Sequence, residues 1–267
     1  MNELVFLKLG GSLITDKDSP HSARHECIAR IAQEIALGLR ANPGMTLLIG
    51  HGSGSFGHFA ARQYCTRDGV STPDQWRGFA AVWREAKALN TLVLETLADA
   101  GLPVVGFSPF SQALTASHKI VAWDTTQIQL AIKNNLLPLV YGDVVFDTEI
   151  GGTILSTEEQ FEYLAGKLLP SRILLAGIES GIWKDFPQRV EIIHHITPAN
   201  VSEVRNHLAA SESPDVTGGM RSKVDGMLNL VRSGVCKEVC IFSGMPEGSI
   251  SNALSGISAG TSISLDQ

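Results

Sequence analysis

Nine consecutive residues, Gly50-His51-Gly52-Ser53-Gly54-Ser55-Phe56-Gly57-His58, carry four glycines and end on a histidine. Glycines let a backbone approach a ligand closely, and their open N–H groups can face an anion. His58 at the far edge can hold or polarise a phosphate oxygen. The plainer alternatives are a tight turn packed on its glycines and a solvent-facing histidine at a helix entry. A second turn, Lys8-Leu9-Gly10-Gly11-Ser12, places a cation beside open N–H groups, or is an edge lysine next to a tight turn. It has neither the Walker spacing nor the dinucleotide fingerprint. A third, Asp215-Val216-Thr217-Gly218-Gly219-Met220-Arg221-Ser222-Lys223, leads into a helix with Lys223 about one turn inside, able to reach back to the loop mouth or to stand in solvent. Together these point to the handling of phosphoryl groups.

Such turns must sit at strand ends, and the hydrophobic pattern supplies the strands. Apolar runs at Val5–Leu9, Thr46–Ile49, Leu102–Gly106, Leu137–Tyr141, Arg172–Ala176 and Glu238–Phe242 read as strands, and the tail ends with Thr261–Leu265. Between them, helical spacing is seen over Ser22–Leu39, from Phe59 to Tyr64, and over Trp76–Ala100, Thr125–Asn134, Thr157–Leu169 and Val216–Val231. Val144–Phe146 and Thr153–Leu155 read as a hairpin joined by a turn over Asp147–Gly152. Strands alternating with helices predict an α/β fold, a three-layer αβα sandwich around a mostly parallel central sheet. With no repeat, charge block or long linker, residues 1–267 are expected to form one domain. A fresh βα series near residue 170 suggests a functional division there.

The 267 residues are 44% hydrophobic, which suits a well-filled core, and the formal charge of -6 argues against nucleic-acid binding. No apolar run reaches the ~18 residues of a membrane span, and Met1-Asn2-Glu3 running into a strand does not look like a signal peptide. Cys27, Cys65, Cys236 and Cys240 have no zinc-ligand spacing and are expected to be reduced thiols of a cytoplasmic protein.

KLGGS near the N-terminus, GSGSFGH after the second strand, YGDVVFD with GGTILS mid-chain, and DVTGGMRSK near the end resemble the amino acid kinase superfamily, over nearly the whole chain and in order. Within it the resemblance is to the isopentenyl phosphate kinases. The SFGH ending is typical of the phosphate-accepting branch, which the fosfomycin kinases share. The resemblance implies transfer of the γ-phosphoryl group of ATP to isopentenyl phosphate, giving the diphosphate used in isoprenoid synthesis. It implies Mg²⁺ carried on ATP, no metal site of the protein's own, and a homodimer. By the same resemblance, Lys8 and Lys223 grip the transferring and β-phosphates, and Lys17 lies near the transferring phosphate. Gly10, Gly11, Ser12, Gly54, Gly181 and Gly219 lie along the nucleotide. His58 binds the acceptor phosphate, helped by Ser53, Ser156 and Thr157. Residues 1–170 form the acceptor part and 171–267 the nucleotide part. A small phosphonate such as fosfomycin as acceptor, and a non-catalytic relative that only binds nucleotide or oxyanions, are the alternatives.

Two segments depart from the family pattern. Ser156-Thr157-Glu158 stands where Ser-Gly-Asp is usual, so the carboxylate that organises the lysines falls to Glu158 or its neighbour Glu159. Ala176-Gly177-Ile178-Glu179-Ser180-Gly181 replaces a Thr-Asp-Val-Asp-Gly strand end and lacks both aspartates, which leaves the adenine and ribose contacts open. An apolar acceptor tail calls for an apolar pocket. Phe79, Val82, Trp83 and Ala86, at helical spacing, are candidates to line it or are simply core.

Overall fold

The computed structural model describes residues 3–16, 19–209, 220–257 and 260–265. Among them the chain runs β1 (Glu3–Leu9), α1 (Gly11–Ile14), α2 (His25–Ala41), β2 (Met45–His51), α3 (Gly54–Gln63), α4 (Pro73–Asp99) and β3 (Val104–Gly106). There follow β4 (Ala113–Ala116), β5 (Lys119–Trp123), α5 (Thr126–Lys133), β6 (Leu137–Tyr141), β7 (Asp143–Asp147), β8 (Gly151–Leu155) and α6 (Thr157–Leu168). The remainder is β9 (Arg172–Gly177), β10 (Ile182–Trp183), β11 (Ile192–Ile193), β12 (His195–Ile196), α7 (Val201–Ala209), α8 (Met220–Arg232), β13 (Glu238–Ser243), α9 (Ser249–Leu254) and β14 (Thr261–Ser264).

Eight strands form the central sheet in the order β12-β14-β13-β9-β1-β2-β6-β3. The pairs from β13 to β3 are parallel, and β14 runs antiparallel to β13. Parallel strands covered on both faces read as continuous apolar runs, and β2 and β6 are buried along their whole length. Alternate residues feed opposite layers. Val5 and Leu7 pack with the apolar stripes of α2, α4 and α9, while Phe6 packs with those of α5, α6, α7 and α8. The Phe6 ring meets Phe161 of α6 edge-on, with centroids 5.1 Å apart. This is the expected αβα sandwich.

A four-stranded sheet, β5-β4-β7-β8, stands beside it. Its β7–β8 hairpin was legible in the sequence. The β4–β5 pair was not, because its short strands carry mixed burial and leave Leu114 and Val121 exposed, so no clean alternation marks them. The single-turn helix α1 is too short to show a period. A small apolar cluster of Ala61, Val70, Phe79, Val82 and Val144 joins this sheet to α3 and α4.

Candidate active site

The parallel register brings the loop-bearing strand ends to one edge of the sheet. β1 lies between β2 and β9, with Lys8 opposite Gly50 on one side and Leu175 on the other. The first two glycine turns therefore leave adjacent strands, and they interlock. A Cβ added to Gly11 would stand 2.6 Å from the Gly54 nitrogen, closer than any side chain can come to fixed backbone. Gly54 itself has φ +50°, in the left-handed region that favours glycine. Thr15 sews the two loops together, its Oγ1 donating to the Gly11 carbonyl at 2.7 Å and accepting from the Ser55 N–H at 3.0 Å. The Gly52 N–H donates to the Leu9 carbonyl at 3.1 Å. These glycines thus serve close loop-to-loop packing as well as an open backbone.

Helix α6 enters beside them. Its first turn is held by a capping box: Ser156 Oγ accepts from the Glu159 N–H at 3.2 Å, and Glu159 Oε2 accepts from the Ser156 N–H at 2.7 Å. Glu159 also pairs with Arg67 at 2.7 Å. One position earlier on the helix, Glu158 turns into the cleft. Its Oε1 lies 2.5 Å from Lys8 Nζ and 3.3 Å from Lys223 Nζ. Lys8 comes from β1 and Lys223 from the first turn of α8, so one carboxylate ties together two elements far apart in sequence. Burial alone would raise the Glu158 pKa, but the charges of Lys8 and Lys223 outweigh it and bring it down to about 2. Of the two candidate carboxylates, Glu158 meets the lysines and Glu159 is committed to the helix cap.

A cleft of about 630 Å³ opens over this junction. Lys8, Gly10, Gly11, Ser12, Ser53, Gly54, His58, Ser156, Thr157, Gly181 and Lys223 all line it. Lys17 and Gly219 lie outside the described residues. Thr157 is buried and its Oγ1 donates to the His51 carbonyl at 2.6 Å, so its single hydroxyl hydrogen is committed to the backbone. Ser156 Oγ accepts within the capping box and keeps its own hydrogen to donate. His58 is half-buried on α3.

Of the helical apolar set, only Val82 reaches the cleft, where it joins Ala61 and Ile154. Phe79 and Trp83 pack instead around Phe110 in the aromatic cluster beside the four-stranded sheet, and Ala86 is buried in α4. Helical spacing marks a buried face but not what covers it.

Arg62, Asp143 and Arg189 also line the cleft and were not singled out from sequence. Arg62 follows His58 by one helical turn on α3, a spacing that could have flagged it. Asp143 opens β7 and is 1% exposed; burial, opposed by the Val144 N–H, pushes its carboxyl up to about 8. At the other end of the cleft, Glu179 accepts from Trp183 Nε1 at 2.8 Å and pairs with Arg189 at 3.1 Å, and the Arg189 guanidinium lies over the Phe186 ring. Among the described residues, no helix is long and apolar enough to cross a membrane.

Residues 3–243 match the model of the amino acid kinase family. The isopentenyl phosphate kinase of Methanocaldococcus jannaschii is 33% identical over 270 residues, covering 99% of this chain and 100% of that protein. The isopentenyl phosphate kinase of Methanothermobacter thermautotrophicus is 31% identical, covering 95% and 96% of the two chains. Among solved structures, one described as an isopentenyl phosphate kinase superposes with a TM-score of 0.82 at 28% identity, covering 98% of this chain and 100% of that one. The chain belongs to the amino acid kinase family and, within it, to the group of the isopentenyl phosphate kinases.

Proposed function

We propose that this protein is a phosphotransferase that moves the γ-phosphoryl group of ATP onto the phosphate of isopentenyl phosphate, giving isopentenyl diphosphate and ADP. The observation that carries this reading is the Lys8–Glu158–Lys223 junction set beside two interlocked glycine loops, on a chain similar to isopentenyl phosphate kinases over their full length. An acceptor phosphate oxygen attacks the γ-phosphorus as the bond to the β-phosphate oxygen breaks, and ADP leaves with that electron pair. The nucleophile is already anionic, so no covalent enzyme intermediate is needed, and positioning with charge neutralisation provides the rate.

In this assignment Lys8 and Lys223 neutralise the transferring and β-phosphates, with Lys17 joining them at the transferring group. Glu158 sets the spacing of the first two. Gly10, Gly11, Ser12, Gly54, Gly181 and Gly219 border the nucleotide. Ser53, His58 and Ser156 receive the acceptor phosphate, Thr157 joins them only through its backbone N–H because its hydroxyl hydrogen goes to the His51 carbonyl, and Val82, Ala61 and Ile154 offer an apolar wall to its tail. Residues 1–170 supply the acceptor side and 171–267 the nucleotide side of one domain. Magnesium would travel on the phosphates of ATP, since that ion usually keeps several waters and takes substrate phosphates as ligands. The protein would work in the cytoplasm as a homodimer, and a reducing cytoplasm suits its four cysteine thiols.

A coupled ADP-release assay with isopentenyl phosphate tests the reaction, with dimethylallyl phosphate and fosfomycin as rival acceptors. Turnover of fosfomycin alone, or ATP binding without transfer to any acceptor, would overturn it. His58→Ala should lower kcat/KM about a hundredfold, as loss of one oriented donor does, with little change in thermal stability.

A further inference from the structure

Beneath the second glycine loop lies a histidine that the reaction described above does not use. His51 is the last residue of β2 and is fully buried. Its ring stacks on Tyr141, with centroids 5.7 Å apart and planes 10° from parallel. Its Nδ1 lies 3.0 Å from the Gly52 carbonyl oxygen, and its Nε2 lies 3.1 Å from the Asn90 Oδ1. Its own carbonyl accepts from Thr157 Oγ1 and from the Gly142 N–H at 3.0 Å. One residue thus touches the glycine loop, the Gly142 turn and the α6 entry.

A carbonyl oxygen can only accept, so Nδ1 must carry a proton. Burial, aided by the charge of Lys8, lowers the imidazole pKa against the two hydrogen bonds, which favours a neutral ring. Nε2 faces the Asn90 amide oxygen, and because a side-chain amide can turn end for end while a backbone carbonyl cannot, the neutral ring keeps its proton on Nδ1 and the amide turns its N–H to Nε2. The consequence falls on the peptide between Gly52 and Ser53. In a trans peptide C=O and N–H point in opposite directions. With the Gly52 oxygen drawn inward to His51, the Ser53 N–H points away from the core. Ser53 lines the cleft, and its N–H makes no hydrogen bond among the described residues.

We infer that His51 is a positioning residue: by holding the Gly52 carbonyl inward, it fixes the Ser53 N–H as a donor for the phosphate of the acceptor. The assignment of that phosphate to the acceptor rests on the function proposed above.

The side chains of Asn and Gln separate the two ring contacts, since an Asn amide nitrogen can replace the Nδ1 donor and a Gln amide oxygen can replace the Nε2 acceptor. His51→Asn should keep the acceptor KM within about threefold of wild type. His51→Gln should raise it about ten- to hundredfold, the value of one hydrogen bond to a charged group, with the ATP KM unchanged. Equal effects of the two variants, or a rise confined to ATP, would overturn the inference. Two measurements do not depend on turnover. In the wild-type protein, ¹⁵N NMR should show His51 as the neutral Nδ1–H tautomer; an Nε2–H tautomer refutes the role. The Ser53 amide resonance should move on titration with inorganic phosphate in wild type, and its immobility there refutes the role as well. A wild-type protein that shows both NMR signatures but does not turn over isopentenyl phosphate would sink the proposed reaction and leave His51 as the organiser of an anion site.

Discussion

Replacing Glu158 by Gln keeps the shape of the side chain and removes the charge that holds Lys8 and Lys223. The folded site lowers this carboxyl from the usual 4.5 to about 2, which corresponds to roughly 3 kcal/mol in favour of the charged form. Burial opposes ionisation, so the attraction of the two lysines exceeds even that figure. Without it, two ammonium groups that share one oxygen would repel and move apart toward the cleft mouth. If the roughly 3 kcal/mol acts wholly on transition-state positioning, kcat/KM falls about a hundredfold. The coupled ADP-release assay reads this, with the loss expected mainly in kcat. Stability supplies an independent check. A depressed carboxyl pKa contributes stability that is fully present above about pH 4.5 and is lost as pH falls through about 2. The stability gap between wild type and Glu158→Gln, from urea melts, should therefore close between those values. A variant with wild-type kcat/KM, or a gap that does not depend on pH in that window, would refute the account of Glu158 as organiser of the lysines.

Glu159→Gln, one residue along, preserves the N3 partner of the capping box and loses only the Arg67 ion pair, so turnover should stay near wild type and stability should fall by about 0.2–1 kcal/mol in thermal melts. Gly11→Ala drives a methyl group against the Gly54 backbone and should cost about 1–3 kcal/mol of stability together with most activity. Gly44→Ala, with no atom within 4 Å of the added carbon, should be silent in the same melts. Asp143, pushed up to about 8 in the fold, contributes stability below its usual 3.8 that is lost as pH rises through 8; the melting temperature of Asp143→Asn relative to wild type should climb from pH 4 to pH 8.

The sandwich and its loops were readable because each rests on a local rule. Buried parallel strands must be apolar throughout, as Met45–His51 nearly is, and turns that meet backbone to backbone must be glycine, as at Gly11 and Gly54. The start of α6 was equally open to reading, since Ser156 and Glu159 have the spacing of a capping box. Whether Glu158 or Glu159 faces the lysines was not, because a step of one residue on a helix is a rotation of about 100°, and only the packing of α6 against β1 fixes its direction. The same limit applies to Phe79 and Trp83. Their spacing gave a buried face, but the rings that cover it, Phe110 and Phe146, lie far along the chain, and a local period does not name a distant neighbour. Lys17 and Gly219 lie outside the described residues, and their roles stand on the family resemblance alone.

The place of β1 between β2 and β9 has a geometric meaning. Both pairings are parallel hydrogen-bonded ladders, with Lys8 level with Gly50 and with Leu175. The tips of the outer two strands are therefore separated by two interstrand spacings, about 10 Å, a length that backbone hydrogen bonds set. Such a site measures rather than grasps. Under the proposed function it would admit a donor and an acceptor whose reacting phosphates fit one fixed interval, and would leave the far end of the acceptor to be judged by a separate wall. On that reading, variation in tail and constancy in headgroup would be properties of different parts of the molecule.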